Sequence, residues 1–372
     1  MTYRVFLPTA GIGSRLGKKT EYLNKSLVSL NNRPVISYII DKFPDEVEFI
    51  VALGYKGDLV RQYLELAYPL KNFIFVNIDP FIGKGSGLGL TLLQSKQYLQ
   101  EPFIFISCDT LVIESIPSPS SNWIAYASNK VNNSYRTLKI ENSLVSEIFD
   151  KGSFTSSNHF PYIGLSGIYN YELFWNGMDA ASENVNESGE YLGLKSLIKD
   201  KILSHKMTWF DTGNLASLNQ AEEYFKDTSG PVILEKEREA IWFIDSRVIK
   251  FSDDERFIKD RVLRSKILIP FVPEISSYSS NMYSYQKVEG DVLSRIVNVP
   301  IFSELLNHAK SFWSVYDLSS LEMEKFKNRC IKFYKDKTLK RVNDFYLNFS
   351  YEDNEKPING VKMPKLKFLL EK

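Results

Sequence analysis

The stretch that decides the fold runs from Phe6 to Leu30 and reads FLPTAGIGSRLGKKTEYLNKSLVSL. A glycine-rich turn after the first strand of an open α/β sheet directs backbone N–H groups toward the carboxyl end of that strand, where such sheets bind ligands. Gly11 and Gly13 allow the backbone to approach a ligand closely, and Arg15 and Lys25 add charge suited to a triphosphate. We therefore predict a phosphate-binding loop. A tight turn alone would also require the two glycines.

The sequence up to about residue 110 alternates short apolar runs with stretches of helical spacing. The predicted buried strands are YRVFL, EFIVALGY, NFIFVNI and PFIFIS, and the predicted helices span 34–43, 57–67 and 87–99. Buried strands that alternate with helices indicate repeated strand-helix-strand units. We predict an α/β fold with a doubly wound, mainly parallel sheet.

Composition bounds the class of protein. The chain has 372 residues, 44% of them hydrophobic and 24% charged, which suits a soluble protein of two domains. Its 46 basic and 45 acidic residues leave a formal charge of +1, so nothing in the balance calls for nucleic acid as a partner. No apolar run is long enough for a membrane span and no signal peptide is visible, so we expect a cytoplasmic protein. Cys108 and Cys330 are far apart, which argues against a disulfide framework or a thiolate zinc site.

The predicted domain boundary lies where charge, glycine and proline cluster in KDTSGPV. We predict one domain over 1–226, a linker over 227–232 and a second, α+β domain over 233–372 with a helical C-terminal part. In that last part, the basic helical stretch 321–349 is predicted to pack on its own domain, and a membrane-surface helix is the alternative.

The glycine loop matches neither of the two common phosphate motifs. No G-K-[ST] follows the glycines, and Leu16 replaces the third glycine of the dinucleotide fingerprint. The order of strand, T-A-G-x-G-x-R-L and then Lys25 instead resembles the nucleotidyltransferases that make sugar nucleotides, together with the related phosphocholine cytidylyltransferases. The family signature has a proline before this lysine, whereas this chain has Asn24. The resemblance extends from residue 1 to about 226 and implies a Rossmann-like, GT-A-like fold.

The resemblance implies roles for the loop residues. The loop would cover a nucleoside triphosphate, and Arg15 and Lys25 would be catalytic, stabilising charge while an acceptor phosphate attacks the α-phosphorus. The implied nucleotide-binding residues are Thr9, Ala10, Gly11, Gly13 and Ser14, with Gly85 and Ser86 of GKGSGLGL at the base. The alternative for GKGSGLGL is that its glycines only begin a helix close to the sheet.

Two aspartates are candidate Mg²⁺ ligands. Asp109 follows the buried strand in FIFISCDTLV, and an acidic residue at that place can hold a divalent cation over the sheet edge. The alternative is a helix cap. Asp211 lies in WFDTGN, which resembles the late W-x-D-x-G motif of the family. We expect both carboxylates to converge on one Mg²⁺. The family has glycine in place of Cys108, so the turn before Asp109 can differ.

The resemblance also implies an acceptor pocket. Lys151 matches by position a second lysine that meets the acceptor phosphate, although exposed lysines at strand ends are common. Gly167 and Glu190 fall where the family lines this pocket, and ESGEYLGL is closer to the choline-phosphate branch than to the hexose branch.

The stretch 233–300 resembles the N-lobe of an aminoglycoside or choline kinase. Lys250 lies at the end of an apolar strand before an acid-rich helix, as the nucleotide-binding lysine of such kinases does. A solvated lysine on an ordinary α+β domain is the alternative. None of the three histidines begins an H-G-D type loop, so we expect no kinase activity from this chain itself. Either the chain stops before a catalytic lobe, or the domain is a scaffold.

We therefore expect a Mg²⁺-dependent nucleotidyltransferase that joins a nucleoside triphosphate to a phosphorylated small molecule of the sugar 1-phosphate type, for surface polysaccharide precursors. The alternatives are a CTP-dependent cytidylyltransferase for phosphocholine or a similar amino-alcohol, a non-catalytic nucleotide-binding protein and a small-molecule kinase. A homo-oligomer is compatible with the sequence. The sequence does not indicate which nucleobase is bound.

Overall fold

The computed structural model describes residues 3–128, 135–152, 159–180, 188–226, 233, 236, 238–312 and 316–371. The predicted linker 227–232 lies outside the described residues. The strands before this linker are β1 Arg4–Pro8, β2 Ser29–Leu30, β3 Arg33–Pro34, β4 Glu48–Leu53, β5 Asn72–Asn77, β6 Phe103–Ile106, β7 Thr110–Val112, β8 Trp123–Tyr126, β9 Thr137–Glu141, β10 Leu144–Phe149, β11 His159–Ile168, β12 Leu203–Lys206 and β13 Trp209–Asp211.

Nine of these strands form one sheet in the order β5-β4-β1-β6-β11-β8-β12-β10-β9. The first four are the predicted apolar strands, and they are parallel. The predicted mainly parallel sheet is only partly right beyond β6, because β11 runs antiparallel to β6 and β8 and β10 runs antiparallel to β9 and β12, whereas β12 is parallel to β8. A tight turn with positive φ at Asn142 and Ser143 joins β9 to β10, so no helical crossover is needed there. The sheet is mixed.

Helices cover both faces of the sheet, as a doubly wound fold requires. They are α1 Val35–Ile40, α2 Gly57–Ala67, α3 Leu88–Ser95, α4 Tyr171–Asp179, α5 Tyr191–Leu197 and α6 Leu215–Tyr224, with short 3-10 turns at Ser14–Thr20, Lys25–Leu27, Lys96–Tyr98 and Ile198–Asp200. Residues of α1, α2 and α6 belong to one hydrophobic cluster, and residues of α3, α4 and α5 belong to the other. The sheet therefore separates two apolar layers.

A second, four-stranded sheet follows in the order β14-β15-β17-β16. Its strands are β14 Glu239–Ile244, β15 Arg247–Ser252, β16 Ile275–Tyr278 and β17 Met282–Gln286, and α7 is Glu255–Leu268. Trp242 of β14 is fully buried against Tyr63 of α2, with ring centroids 5.1 Å apart. This sheet therefore shares the core of the N-terminal segment, and the compact unit extends over Met1–Val292. The proposal of a separate domain from 233 remains a prediction.

The residues Leu293–Lys372 form a second compact unit. It contains α8 Leu293–Ile296, α9 Val299–Phe312, α10 Ser320–Cys330, a π-helical segment Ile331–Asp336, α11 Lys337–Asn348, the hairpin β18 Lys356–Ile358 and β19 Val361–Met363, and α12 Leu366–Glu371. The predicted helical character of this part is confirmed. In the described part of the chain, no helix has the length and apolarity that crossing a membrane requires.

Candidate active site

A cavity of about 360 Å³ lies at the carboxyl ends of β1 and β6, where the sequence predicted the ligand. Most of the predicted site residues line it together, although they come from widely separated parts of the chain. The predicted residues that line this cavity are Ala10, Gly11, Arg15, Lys25, Ser86, Asp109, Lys151, Glu190 and Asp211.

The two predicted metal ligands meet because β7 and β13 pair. In this antiparallel pair Asp211 lies opposite Thr110, the residue after Asp109. A Cβ atom placed on Gly213 would lie 2.9 Å from Asp109 Oδ2, 3.0 Å from Asp211 Oδ1 and 3.1 Å from an Arg15 guanidinium nitrogen. Since both carboxylate oxygens lie this close to one point, they are less than 6 Å apart. The carboxylates and Arg15 therefore face one small space that a side chain at 213 would fill.

Hydrogen bonds hold the Asp211 carboxylate in place. The Tyr135 hydroxyl donates to Asp211 Oδ2 at 2.8 Å, and the side-chain amide of Asn214 donates to the same oxygen at 3.2 Å. The Gly213 N–H donates to Oδ1 at 2.8 Å. Burial, followed by the adjacent Asp211 carboxylate, raises the pKa of Tyr135, so this phenol remains a donor at neutral pH.

Lys25 and Asp109 form an ion pair within the cavity wall. Lys25 Nζ lies 3.1 Å from Asp109 Oδ2, and each side chain is 19% exposed. Burial alone would raise the pKa of Asp109, but the charges of Lys25 and Arg15 outweigh burial and lower it. Burial would lower the pKa of Lys25, and the Asp109 carboxylate raises it instead. Both groups are therefore charged at neutral pH.

The buried Cys108 stands beside this pair, where the family has glycine. Burial raises the pKa of its thiol to about 11, so the thiol is neutral at physiological pH. Cys108 lines the cavity as a small apolar residue.

The glycine loop brings its backbone close to the lysine. Gly13 has a left-handed φ of 72°, and a Cβ at this position would lie 2.7 Å from the Cβ of Lys25. Ser14 then begins the 3-10 turn that carries Arg15. Gly11 has open space around its Cα, as a loop that approaches a ligand needs. Gly13 and Ser14 thus support the loop without lining the cavity.

Two further polar groups of the cavity wall belong to Glu190 and Tyr162. Among the residues that the structure describes, Glu190 Oε2 and the Tyr162 hydroxyl are buried without a close hydrogen-bond partner, and both residues line the cavity. Arg136 lies 3.6 Å from Glu190 Oε1 and donates to Asp150 Oδ1 at 3.0 Å. Burial raises the pKa of Glu190, while the charges of Arg136 and Lys151 oppose this shift. This wall offers hydrogen-bonding groups to a ligand.

Three other predicted residues lie away from the cavity lining. Thr9 is fully buried and its hydroxyl donates to the Ala52 carbonyl at 2.7 Å. Gly85 has a φ of +90° and does not line the cavity, whereas the next residue, Ser86, does. Gly167 packs against the indole of Trp123, so its lack of a side chain is explained by packing within the sheet. Gly164 is the glycine of β11 that the structure brings to the cavity.

Lys250 lies on the four-stranded sheet and not at the cavity. Its Nζ is 5.5 Å from the centroid of the Tyr285 ring. Burial lowers its pKa, and the carboxylate that opposes this, Glu239, is on the neighbouring strand β14 and not on helix α7. The kinase-like role of Lys250 remains a prediction.

Sequence reasoning missed several residues of the cavity wall. Tyr135, Arg136 and Tyr162 lie in strand-like sequence that contains no motif. Trp209 belongs to the W-x-D-x-G motif, but the motif alone did not indicate that its side chain lines the cavity. A lone tyrosine or arginine near a strand has no spacing signal, so only the sheet pairing identifies these residues. The Asn214 amide was a recognisable helix cap directly after the motif, and it does cap α6 by accepting from Ser217 N–H.

The donor chemistry of the site fits a Mg²⁺ ion that is shared with phosphates. Within the described ranges, no group of three or more His, Cys, Asp and Glu side chains occurs that could hold a metal by itself. Asp109 and Asp211 supply two carboxylates, and Mg²⁺ is commonly bound by one or two carboxylates together with water and substrate phosphates. The residues present therefore fit this ion when a nucleotide is bound.

The glycine loop and the two aspartates lie at one sheet edge, the arrangement that the resemblance to nucleotidyltransferases implies. No protein-family model matches the chain. Over 229 residues, 59% of this chain, it is 25% identical to the bifunctional protein GlmU of Methanocaldococcus jannaschii. Over 244 residues, 60% of this chain, it is 25% identical to that of Methanococcus vannielii. These alignments cover 53% and 55% of the two relatives, so the chain spans about half the length of the curated relatives it matches.

Solved structures share the fold of the N-terminal segment. A chain from Bacillus anthracis assigned as a glucose-1-phosphate thymidylyltransferase matches with a TM-score of 0.51 and 17% identity, covering 64% of this chain and 98% of that one. A UDP-glucose pyrophosphorylase from Acinetobacter baumannii matches with a TM-score of 0.50 and 15% identity, covering 60% of this chain and 93% of that one. At this identity the likeness establishes the fold. The predicted family resemblance of the N-terminal segment is confirmed, and these matches do not support the kinase-like segment.

Proposed function

We propose that this protein is a Mg²⁺-dependent nucleotidyltransferase that transfers a nucleoside monophosphate from a nucleoside triphosphate to a phosphorylated small molecule and releases pyrophosphate. The observation that carries the proposal is the convergence of Asp109, Asp211 and Arg15 around Gly213, inside a cavity that the glycine loop and Lys25 also line. Two carboxylates beside two cations suit a bound metal and a polyphosphate at the same place. The relatives named above are of the same class.

The residues of the chain would act by positioning the phosphates and stabilising charge. An acceptor phosphate oxygen forms a bond to the α-phosphorus while the bond from this phosphorus to the bridging oxygen breaks, and pyrophosphate carries away the electron pair. Arg15 and Lys25 stabilise the negative charge that develops on the phosphate oxygens. Asp109 and Asp211 would hold the Mg²⁺, which supplies charge neutralisation at the phosphates when bound. No proton transfer by a side chain is needed.

The part of the cavity wall that contains Glu190, Tyr162 and Arg136 favours a hydroxyl-rich acceptor of the sugar 1-phosphate type. Glu190 Oε2 and the Tyr162 hydroxyl can accept from and donate to hydroxyl groups, and Arg136 already offsets the charge of Glu190. The aromatic rings of Tyr135 and Trp209 also line the cavity, and they would serve a quaternary amine in the alternative acceptor. Lys151, at the same cavity, suits the acceptor phosphate. Phosphocholine or a similar phosphorylated amino-alcohol remains the alternative acceptor, with CTP as donor.

A product of this kind is an activated sugar, which can serve as a precursor of surface polysaccharide. This role and a cytoplasmic location are part of the proposal. The relationship of the segment 233–300 to small-molecule kinases is a prediction that the same assays would test.

The decisive experiment measures pyrophosphate release with ATP, CTP, UTP and dTTP, each with glucose 1-phosphate or phosphocholine, in the presence and absence of Mg²⁺. We expect Mg²⁺-dependent release with glucose 1-phosphate, while release with CTP and phosphocholine alone would select the alternative. Formation of ADP from ATP and choline, without pyrophosphate, would replace the proposal with a kinase. Asp109→Asn and Asp211→Asn should each lower kcat by about 100-fold or more, because each removes a carboxylate that would hold the Mg²⁺ at the phosphates. Unchanged rates in both variants would contradict the proposed site.

A further inference from the structure

The structure assigns to Asn24 the role of a positioning residue for Lys25. The expected effect on kcat rests on the proposed function. Asn24 occupies the place where the family has proline, and its side chain is fully buried. Its carboxamide connects three segments: the end of β1, the loop between β4 and α2, and the turn that carries Lys25.

The hydrogen bonds of Asn24 use both ends of the carboxamide. Nδ2 donates to the Thr9 carbonyl at 2.9 Å and to the Tyr55 carbonyl at 2.6 Å. Oδ1 accepts from the Ser26 N–H at 2.9 Å and from the Ser26 hydroxyl at 2.8 Å. Each donor and acceptor of the amide is therefore matched in a buried position, where a mismatch would be costly.

This arrangement fixes the backbone on both sides of Lys25. Asn24 caps the 3-10 turn Lys25–Leu27. Gly13 of the glycine loop lies so close to Lys25 that a Cβ at position 13 would be 2.7 Å from the Cβ of Lys25. From this backbone position Lys25 Nζ reaches Asp109 Oδ2 at 3.1 Å. A proline would preset only one dihedral angle, whereas Asn24 ties the lysine directly to the strand that begins the phosphate loop.

Asn24→Ala removes these bonds, and Asn24→Pro is a second variant that the backbone accepts because Asn24 has φ −69° and ψ 147°. Asn170→Ala is the matched control. Asn170 also caps a helix, α4, through a bond from the Leu173 N–H, and it lies away from the cavity. All variants are made in the full chain, and thermal unfolding verifies that each is folded.

The first measurement is a double-mutant cycle with Lys25→Ala, using kcat for pyrophosphate release from the most active triphosphate. We expect Asn24→Ala to lower kcat by about 10- to 100-fold with a smaller change in KM, since misplacing a catalytic group by about 1 Å can cost that much. In the Lys25→Ala background, Asn24→Ala should lower kcat by no more than about twofold, because the effect of Asn24 acts through Lys25. Full additivity in the cycle, or an equal loss in Asn170→Ala, would overturn the assignment.

The second measurement does not need activity. Brief acetylation with acetic anhydride, read by mass spectrometry and normalised to the exposed Lys84, reports how well Lys25 is held at Asp109. We expect Asn24→Ala and Asn24→Pro to raise labelling of Lys25 by about fivefold, the factor that corresponds to roughly 1 kcal/mol for a lost hydrogen bond. Unchanged labelling in both variants would refute the positioning role. If the wild-type protein releases no pyrophosphate, the proposed function fails, and the labelling alone decides the role of Asn24.

Discussion

Gly213 shows how a single residue determines the geometry of the candidate site. The two aspartates and Arg15 surround the place where its side chain would be, so the absence of a Cβ leaves open the space that we propose for a metal and phosphate oxygens. The neighbouring Thr212 supports the same turn, since its N–H and hydroxyl both donate to the Asp109 carbonyl, at 2.9 and 3.1 Å. The geometry of the site therefore depends on the absence of a side chain at Gly213 as much as on the charged groups.

We predict that Gly213→Ala lowers kcat for pyrophosphate release by about 10- to 100-fold, because the new methyl group displaces the carboxylates and Arg15 from their productive positions. Steady-state kinetics and a Mg²⁺ titration at fixed nucleotide would measure this effect. Thermal unfolding serves as the control, since the tight contacts are with side-chain ends at a cavity and we expect only a small change in stability. An unchanged kcat would show that this space is not used by the substrates.

Glu190 should contribute a pH-dependent term to stability. Burial raises its pKa above the ordinary value of 4.5, so the folded state binds this proton more tightly than the unfolded chain does. Its contribution to folding is therefore fully present below the unfolded pKa and is lost as the pH rises through the folded pKa. Arg136, Lys151 and Asp150 are the charged groups that act on it, and the two cations reduce the shift.

We predict that Glu190→Gln becomes more stable relative to the wild type as the pH rises from about 4 to about 8, because glutamine stays neutral where the buried glutamate must ionise. The free energy of unfolding, measured in denaturant at a series of pH values, tests this. A difference between the two proteins that does not depend on pH would mean that Arg136 fully compensates the charge of Glu190.

At the scale of elements, the pairing of β7 with β13 builds the site, and a separate set of contacts joins the four-stranded sheet to the N-terminal segment. The short β7–β13 ladder brings Asp211 to Asp109 across a long stretch of sequence. The four-stranded sheet packs on α2 through Trp242, whose indole N–H donates to Ser29 Oγ at 2.9 Å. The side chain of Gln62 on α2 accepts from Ser279 Oγ at 2.7 Å and from the Asn281 N–H at 3.0 Å.

We predict that Trp242→Ala destabilises the N-terminal segment together with the four-stranded sheet, by about 3–5 kcal/mol, as expected for truncation of a fully buried tryptophan. Hydrogen exchange in β1 and β4 should accelerate along with exchange in β14. Phe243→Ala is the control, because Phe243 lies next to Trp242 on the same strand, points to the opposite face of the sheet and is only half-buried. If exchange in β1 and β4 does not change in Trp242→Ala, the two sheets unfold independently.

At the scale of the whole molecule, the chain divides after Val292 into two compact units of different character. The first has two large apolar layers on either side of its sheet. In the second, neither the described helices α10 and α11 nor the π-helical segment between them contains a buried residue. Helices without a buried face gain little stability from tertiary packing.

We therefore predict that amide hydrogen exchange in Ser320–Cys330 and Lys337–Asn348 is faster, by a factor of at least about 100, than in β1, β4 and β6, since local opening there requires little loss of packing. Exchange followed by mass spectrometry on the intact protein measures both regions in one sample, and α2 provides an internal reference for a helix with a buried face. Equal protection in the two regions would show that the second unit is stabilised by contacts beyond its own helices.

The sequence by itself determined the four parallel strands and the helices between them. It also predicted the glycine loop and the two aspartates that the structure brings to one cavity. These features depend on local signals: apolar runs with helical spacing between them, glycines directly after a strand, and an acid at a strand end. The antiparallel pairings beyond β6 were not predicted, because residue spacing indicates a strand but not the direction of its neighbour, and a hairpin at Asn142 and Ser143 replaces a crossover there.

Only the tertiary structure decided which residues complete the cavity and why Asn24 can stand where the family has proline. Tyr135, Arg136 and Tyr162 reach the cavity through strand pairing, and the carboxamide of Asn24 finds its partners in two other segments. Gly167, which its motif placed in the acceptor pocket, instead makes room for Trp123. The physical reason is common to all of them: their roles depend on neighbours that are distant in the chain, and local spacing carries no information about such neighbours.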